Sequence, residues 1–293
     1  MSEERRGAAA ALAAFLMWGG LSLYLKALAA VPAVEILCHR ILGGAVFALV
    51  AVALTGGMGE VRAVIADRRL LRPLVASSLA IGINWGLFIW AVAHARALEA
   101  SMGYFIFPLV SVVLARIVLG ERMNRRRQAA VGVVALGVGW LVLRGPGVPW
   151  LALTLAISFG AYGLLRKTTP VQSLTGLLVE TALLAPLAAL YLAVAEGGAA
   201  PGLGGGTIGL LALAGPVTAI PLWLFACGAR RLKLSTLGLM MYVNPSVQML
   251  LAVFVYGETF TAAHAIAFAA IWVGLALYSW PEREAVAPPG RVA

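Results

Sequence analysis

The chain of 293 residues is 62% hydrophobic and only 12% charged, and its mean hydropathy is +0.95. A water-soluble surface carries about a quarter of its residues as charged side chains, so this composition excludes a soluble fold. The net charge of +10 could indicate nucleic-acid binding, but the Lys and Arg residues lie between apolar runs and form no basic face. We therefore expect an integral membrane protein with no nucleic-acid partner.

Windows of about 20 apolar residues, the length that a helix needs to cross a bilayer, divide the chain into ten segments. In chain order they span residues 8–29, 33–54, 71–93, 98–119, 128–143, 149–165, 174–195, 207–228, 234–256 and 262–280. The connections between them are short. The sequence therefore predicts an all-α membrane protein with ten transmembrane helices.

The first segment follows Arg5 and Arg6, as the apolar core of a cleaved signal peptide would. Its length of about 22 residues exceeds that of a signal-peptide core, so we interpret it as the first span. Trp18 lies inside this span and Lys26 near its end. Lys26 either reaches the membrane surface with its long side chain or takes part in coupling or gating.

The second segment opens with three titratable residues, Glu35, His39 and Arg40. Glu35 and His39 are four residues apart and so share one face of the helix. A carboxylate beside an imidazole favours proton exchange near neutral pH, which proton coupling requires. The alternative is that these residues cap the end of the span at the membrane surface. We take all three as candidates for coupling or gating, with protons as a candidate coupling ion.

The third to sixth segments contain aromatic side chains and one amide at similar depth. Their members are Asn84, Trp85, Tyr104, Phe107, Phe159 and Tyr162. A mostly apolar cavity with a few oriented polar groups is the usual form of a small-molecule site. Each aromatic alone also fits a place in the helix core or facing lipid. We expect these residues, except Phe159, to contact a substrate.

The seventh and ninth segments supply the remaining candidates. Glu180 lies inside the seventh, where it either couples transport to an ion or makes a structural hydrogen bond to a neighbouring helix. In the ninth, Pro245 frees a backbone carbonyl, and Asn244 can either satisfy that carbonyl or face a ligand. Kinked helices at matching positions of two halves point to a site near the bilayer midplane, and Tyr242 lies beside this one.

The two halves of the chain resemble each other. The string GYFIFPLVSVVLARIVLGER from Gly103 matches MMYVNPSVQMLLAVFVYGET from Met240 at a constant offset of 137. The shorter strings MWGGLSLYLK and SFGAYGLLRK match at an offset of 141, which also relates His39 to Glu180. The sequence therefore predicts two five-helix repeats, at residues 8–143 and 149–280. Since five is odd, the second repeat must enter the membrane from the opposite side.

The positive residues fall on alternate connections, as the positive-inside rule requires. One side carries Arg5, Arg6, Arg62, Arg68, Arg69, Arg72, Arg122, Arg125, Arg126, Arg127, Arg166, Lys167, Arg230, Arg231, Lys233, Arg283 and Arg291, and the other only Arg96 and Arg144. We expect residues 1–7 and a disordered tail at 281–293 to be cytoplasmic. Inverted repeats favour a transporter with inside-open and outside-open states.

Four strings carry a resemblance to a known family. They are WGGLSLYLKAL from Trp18, VEILCHRIL from Val34, NWGLFIWAVAHARALEASMGYFIFPLVSVVLARIVLGER from Asn84 and LSTLGLMMYVNPSVQMLLAVFVYGE from Leu234. The chain resembles the drug/metabolite transporter superfamily, with its duplicated EamA-type units, and the RarD group within it. This resemblance implies a ten-helix inner-membrane carrier with a central cavity, in a family associated with export of amphipathic metabolites and, for RarD-like members, with a name linked to chloramphenicol sensitivity. Phe107 stands where the family commonly has an asparagine, so the cavity is expected to be more apolar there.

These observations predict a bacterial inner-membrane transporter that exports a small amphipathic metabolite or drug-like solute. The expected substrate-binding residues are Trp18, Asn84, Trp85, Tyr104, Phe107, Tyr162, Tyr242 and Asn244. Lys26, Glu35, His39, Arg40 and Glu180 are the candidates for coupling or gating, and the excess of positive charge among the first four favours an anionic or zwitterionic substrate. No cofactor or metal motif occurs in the sequence. A membrane-embedded enzyme acting on lipid-linked substrates and a non-transporting scaffold are the alternatives, although the clustered carboxylates that such an enzyme needs are not evident.

Overall fold

A computed structural model describes residues 2–120, 125–144, 148–194, 204–229, 231 and 240–279. Within these ranges every regular element is a helix. They are α1 (Glu3–Gly19), α2 (Leu21–Ala27), α3 (Ala33–Leu54), α4 (Met58–Ala66), α5 (Arg68–Ala93), α6 (Ala97–Leu119), α7 (Arg125–Arg144), α8 (Trp150–Thr168), α9 (Ser173–Val194), α10 (Gly205–Ala212), α11 (Ala214–Ala229), α12 (Val243–Leu250), a π-helical turn (Leu251–Val255) and α13 (Ala262–Ser279). The all-helical prediction is confirmed.

Four helices of the described residues are long and apolar enough to cross a bilayer: Glu3–Ala27, Ala33–Leu54, Arg68–Ala93 and Ser173–Val194. Helix α6 is a fifth if its two parts, which bend by 42° between Phe107 and Leu109, count as one span. Five shorter apolar helices coincide with the other predicted segments: Gln128–Arg144, Trp150–Arg166, Gly205–Pro221, Val243–Val255 and Ala262–Tyr278. Part of the ninth segment and the C-terminal tail lie outside the described residues.

The connection after α3 differs from the predicted loop, because it contains the short helix α4. Gly56 ends α3 in the left-handed conformation, with φ of +74°, which glycine adopts without steric cost. Val61 and Val64 of α4 are buried in an apolar cluster with residues of α5 and α9. Asp67 then caps α5, its side chain accepting a 2.8 Å hydrogen bond from the Arg69 amide.

The outer surface of the bundle is apolar. Leu54, Leu143 and Phe254 are each at least 80% exposed, and many other large apolar side chains also face outward. A soluble protein of this size would aggregate with such a surface, whereas lipid solvates it. This surface and the five candidate spans together fit a membrane-embedded protein.

A glycine with a positive φ angle follows α6, and another follows the π-helical segment. Gly120 and Gly257, which match at the offset of 137, have φ angles of +66° and +67°. The prolines at the same offset have different places in their helices: α6 bends at Pro108, whereas Pro245 lies in the first turn of α12. Proline is tolerated in the first turn of a helix because the amide that it lacks would have no partner there.

The packing between helices repeats when the two halves are exchanged. If α8, α9, α11, α12 and α13 are taken as counterparts of α1, α3, α5, α6 and α7, then α5 packs on α8 as α11 packs on α1. Likewise α6 packs on α8 as α12 packs on α1, and α5 packs on α9 as α11 packs on α3. The pairs α3 with α9, α6 with α12, and α7 with α13 join each helix to its own counterpart.

The contact of α7 with α13 is reciprocal at the level of single residues. A Cβ atom added to Gly137 would lie 3.3 Å from the carbonyl oxygen of Ala267, and one added to Gly274 would lie 3.0 Å from that of Ala130. Gly274 is the counterpart of Gly137, and Ala267 that of Ala130, at the same offset as the two turns. An interface in which residue i contacts j and the copy of j contacts the copy of i is typical of two-fold symmetry.

A second pair of glycines repeats this pattern. A Cβ atom on Gly19 of α1 would lie 2.7 Å from the Cβ of Val247 in α12. One on Gly160 of α8 would lie 3.3 Å from a methyl group of Val110 in α6. Gly19 and Gly160 match at the offset of 141, and Val110 and Val247 at 137. Both offsets found in the sequence therefore relate equivalent contacts.

Candidate functional site

Asn84 forms the centre of a hydrogen-bond network between α5, α6 and α8. Its side chain is 1% exposed, and its amide donates to the Leu155 carbonyl at 3.0 Å and to the Ser158 hydroxyl at 3.1 Å. The Tyr104 hydroxyl donates to its oxygen at 2.9 Å. Because its oxygen and its nitrogen both have partners, Asn84 connects three helices in this conformation.

Three of the predicted aromatic residues surround Phe159 of α8. The centre of its ring lies 4.7 Å from that of Phe107, 5.9 Å from that of Tyr104 and 6.0 Å from that of Tyr162. We call Asn84, Tyr104, Phe107, Phe159 and Tyr162 the α8 cluster. It combines packed aromatic rings with a small number of oriented polar groups.

A corresponding group surrounds Trp18 of α1, and we call Trp18, Phe225, Asn244 and Gln248 the α1 cluster. Trp18 packs against Phe225 with ring centres 5.7 Å apart. Gln248 donates to the Asn244 side-chain oxygen at 2.9 Å and approaches the Trp18 carbonyl at 3.5 Å. Trp18 and Phe159 match at the offset of 141, so the two clusters occupy equivalent places. Tyr242, half-buried, lies just before α12.

Gln248 was not among the predicted site residues, although its spacing of four residues from Asn244 indicates one helix face. It is 3% exposed, and its side-chain oxygen has no hydrogen-bond partner among the described residues. The sequence signal was therefore available, but an amide in an apolar helix does not by itself distinguish a ligand contact from packing.

Arg40 lies in a third group, the arginine cluster of Arg40, Trp85 and Thr218, where α3, α5 and α11 meet. The Arg40 side chain is buried, and its Nε donates to the Thr218 hydroxyl at 3.2 Å. Its guanidinium carbon lies 4.9 Å from the centre of the Trp85 ring, a cation–π contact. The structure thus brings two of the predicted residues into direct contact.

Glu180 of α9 lies in a fourth group, which we call the carboxylate cluster. Its other members are Ser77 of α5 and Tyr162 and Arg166 of α8. The Ser77 hydroxyl donates to one carboxylate oxygen at 2.5 Å, and the Tyr162 hydroxyl approaches the other at 3.5 Å. The guanidinium of Arg166 lies 3.7 Å from the carboxylate. The buried carboxylate therefore has a counter-charge and two hydroxyl groups around it.

The three other coupling candidates occupy different surroundings. Lys26 is exposed, and its ammonium lies 5.5 Å from the centre of the Tyr256 ring. Glu35 is buried, and His39 is half-buried. Lys26 therefore has the exposed position that is needed if its long side chain reaches the membrane surface. Glu35 and His39 lie partly or wholly inside the bundle.

The two ends of the bundle carry polar contacts between helices of different halves. At the end where α1 begins, the Glu60 carboxylate accepts from the Gln172 amide at 2.9 Å and from the Thr175 hydroxyl. At the opposite end, the Glu258 carboxylate accepts from the amides of Ala97 and Leu98, both at 2.8 Å. A carboxylate on the free amides of a helix N-terminus is stabilising, so both contacts hold the ends together.

Two surface pockets lie away from these clusters. One of about 420 Å³ is lined by residues that include Trp140, Arg144 and His264, and one of about 340 Å³ by residues that include Arg68 and Arg72. None of the predicted site residues lines either pocket. Several of the predicted residues, among them Asn84, Tyr104 and Arg40, instead lie in the clusters described above.

Comparisons with known proteins give a consistent result. The sequence pattern described as the EamA-like transporter family matches residues 5–143. A Vibrio cholerae protein named as an uncharacterized transporter is 42% identical over 280 residues, covering 94% of this chain and 93% of the relative. Protein RarD of Escherichia coli K12 is 41% identical over 279 residues, covering 94% of both chains. A crystal structure with 24% identity aligns with a TM-score of 0.59 over 93% of this chain and 96% of the other, a likeness of fold alone.

Proposed function

Because the chain belongs to the EamA-like transporter family and is a RarD-like member of it, we propose that it is a secondary transporter that works by alternating access. The names of the relatives point to transport, not to enzymatic chemistry. The solute that we propose is a small amphipathic metabolite or drug-like molecule, moved outward across the bacterial inner membrane. Apolar aromatic clusters with few polar groups support a solute of this kind.

The architecture in this proposal is two inverted five-helix repeats. The observation that carries it is the reciprocal packing of Gly137 on Ala267 and of Gly274 on Ala130. A duplicated unit related by a two-fold axis in the membrane plane produces such contacts, and it also produces two states by exchanging the conformations of its halves. The positive residues on alternate connections support cytoplasmic termini.

The solute path in this proposal runs between the α1 cluster and the α8 cluster. In the described conformation these groups are packed, and the contacts of Glu60 and Glu258 bridge the two ends. We assign this conformation to an occluded step. Separation of the helices at one end would expose the aromatic side chains to solute while the carboxylate at the other end keeps that end shut.

Ion coupling in this proposal involves the carboxylate cluster and the titratable residues of α3. Glu180 is buried and faces hydroxyl groups from two helices, so a movement of α5 or α8 changes its surroundings. His39 and Glu35 lie on the counterpart helix α3. Protons are the coupling ion that these side chains favour.

The test begins with an untargeted comparison of metabolites in cells that contain or lack the protein. Any solute that changes is then supplied to proteoliposomes that hold a pH-sensitive dye. We expect uptake by the wild-type protein with a change of internal pH, and His39→Ala should abolish the pH change. Failure of every such solute to cross in the wild-type vesicles would overturn transport, whereas equal pH changes in the variant would remove only His39 from coupling.

A further inference from the structure

The guanidinium of Arg40 is an incompletely partnered cation inside the bundle. Arg40 is 4% exposed and is the eighth residue of α3, about 10 Å along the helix from its start. Nε donates to Thr218, but Nη1 is buried with no hydrogen-bond partner among the described residues. A buried donor without an acceptor is costly, and a buried charge is more so, which makes this nitrogen a candidate for a ligand contact.

Within the part of the chain that the structure describes, no counter-charge pairs with Arg40. The ion pairs of the described residues place no carboxylate within 4.0 Å of its guanidinium. The Thr218 hydroxyl is itself committed, since it donates to the Ala214 carbonyl at 2.8 Å. The face of Trp85 attracts the cation but cannot accept a hydrogen bond in the plane of the guanidinium.

The other half of the chain contains a similar arrangement in which the buried charge has a partner of opposite charge. Ser77 and Thr218 match at the offset of 141, which also relates α3 to α9 through His39 and Glu180. Each hydroxyl therefore binds a charged residue of the facing helix: Thr218 binds Arg40, and Ser77 binds Glu180. Glu180 has Arg166 as its counter-charge, whereas no ion pair among the described residues joins a carboxylate to Arg40.

We propose that Arg40 and Trp85 form a subsite for a carboxylate group carried by the transported solute. This proposal rests on the proposed transport function and names the substrate class. The carboxylate would accept hydrogen bonds from the guanidinium, and an apolar part of the solute would lie along Trp85. One buried guanidinium neutralises one negative charge, so a monoanionic carboxylate fits better than a phosphate dianion. Lys26 adds no second charge to the subsite, because it is exposed and contacts Tyr256.

The experiment measures binding to the purified full-length protein in detergent, so it does not depend on transport. The probes are benzoate, 3-phenylpropanoate and hexanoate, each paired with its uncharged carboxamide of nearly the same shape. We expect the wild-type protein to bind at least one acid about tenfold more tightly than its amide. Arg40→Gln should bring acid and amide to within about twofold of each other, and Arg40→Lys should give an intermediate ratio because it keeps the charge and loses the planar fork.

Arg144→Gln is the matched control, since it removes an exposed arginine that stacks on Trp140 outside the subsite. It should leave the acid-to-amide ratio unchanged. If Arg40→Gln does not fold, Trp85→Leu and Arg40→Lys provide the comparison. No preference for any acid in the wild-type protein, or an undiminished preference in the Arg40 variants, overturns the subsite. Transport of a solute without a carboxylate would also overturn it while leaving the transport function intact.

Discussion

Hydrogen bonds between helices decide how much each intramembrane polar side chain contributes to stability. The side-chain amide of Asn84 can both donate and accept, and its partners come from α6 and α8. A polar group in an apolar bundle stabilises the fold only when such partners are present, because water is absent to replace them. Asn84 therefore stabilises the joint of α5, α6 and α8, in addition to the substrate contact proposed for it.

This arrangement predicts coupling between Asn84 and Tyr104. Asn84→Leu should lower the free energy of unfolding by about 1–3 kcal/mol, since it leaves the Tyr104 hydroxyl without its acceptor. Tyr104→Phe should cost about 1 kcal/mol. The double variant should be less destabilised than the sum by about 0.5–2 kcal/mol, measured by unfolding in detergent. Tyr242→Phe, just before α12, is the control, and its cost should simply add to that of Asn84→Leu.

The residue types at the candidate site could be read from the sequence, but their pairings could not. Aromatic and amide residues within apolar segments already indicate a possible small-molecule site. The partners of Arg40 and Glu180, however, lie 178 and 103 residues away along the chain. Which helices meet is decided by packing of their surfaces, and hydrophobic periodicity does not specify it. The offset of 141 would have indicated that Ser77 and Thr218 are equivalent, although not which charged residue each binds.

At the level of helices, close approach depends on glycine. Helices α7 and α13 bring their backbones together at Gly137 and Gly274, where a methyl group has no room. In lipid, where apolar side chains gain nothing by leaving the solvent, small residues allow the van der Waals contact that holds helices together. The close approach of this pair of helices therefore depends on its two glycines.

Substitution of these glycines tests the reciprocal packing. Gly137→Leu and Gly274→Leu should each destabilise the protein by about 1–3 kcal/mol, and by similar amounts, because they occupy equivalent places. Gly132→Leu, on α7 with no atom within 4 Å of the added Cβ, should be neutral or slightly stabilising. Thermal unfolding and size-exclusion profiles in detergent provide the measurement. A large effect at Gly132 or none at Gly274 would contradict the packing.

The positions of the helices were largely predictable, whereas their interruptions were not. Apolar length alone placed the second span at residues 33–54, the bounds that α3 has. The break at Gly20, the short helix α4 and the division between α10 and α11 were missed. Helix α4 is amphipathic and only nine residues long, so a search for apolar windows of about 20 residues does not detect it. Its buried face is defined by α5 and α9, which are distant in the sequence.

For the whole molecule, the two proposed repeats differ in the charges of their connections. Gly120 and Gly257 both have a positive φ angle. The first is followed by Arg125, Arg126 and Arg127, and the second by no Lys or Arg before α13. Since arginines near a span remain on the cytoplasmic side, the same turn should face opposite compartments in the two halves.

Thiol labelling of single-cysteine variants tests this orientation. Cys38 and Cys227 are first replaced by alanine, and Arg125→Cys and Thr259→Cys are then introduced separately; both positions are exposed. A membrane-impermeant maleimide applied to intact cells should label the variant at 259 and not the one at 125. After the membrane is permeabilised, both should react, which shows that each thiol is accessible in the folded protein.

The result bears directly on how the chain can move. If both thiols react from the same side, the halves are parallel, and exchanging their conformations could not convert an inside-open state into an outside-open one. The proposed mechanism would then fail, even though the reciprocal glycine contacts would still describe a duplicated protein. If the thiols react from opposite sides, Glu60 and Glu258 would lie at the two ends of the proposed solute path. Breaking the hydrogen bonds of one carboxylate would then open the path to one compartment, and breaking those of the other would open it to the opposite compartment.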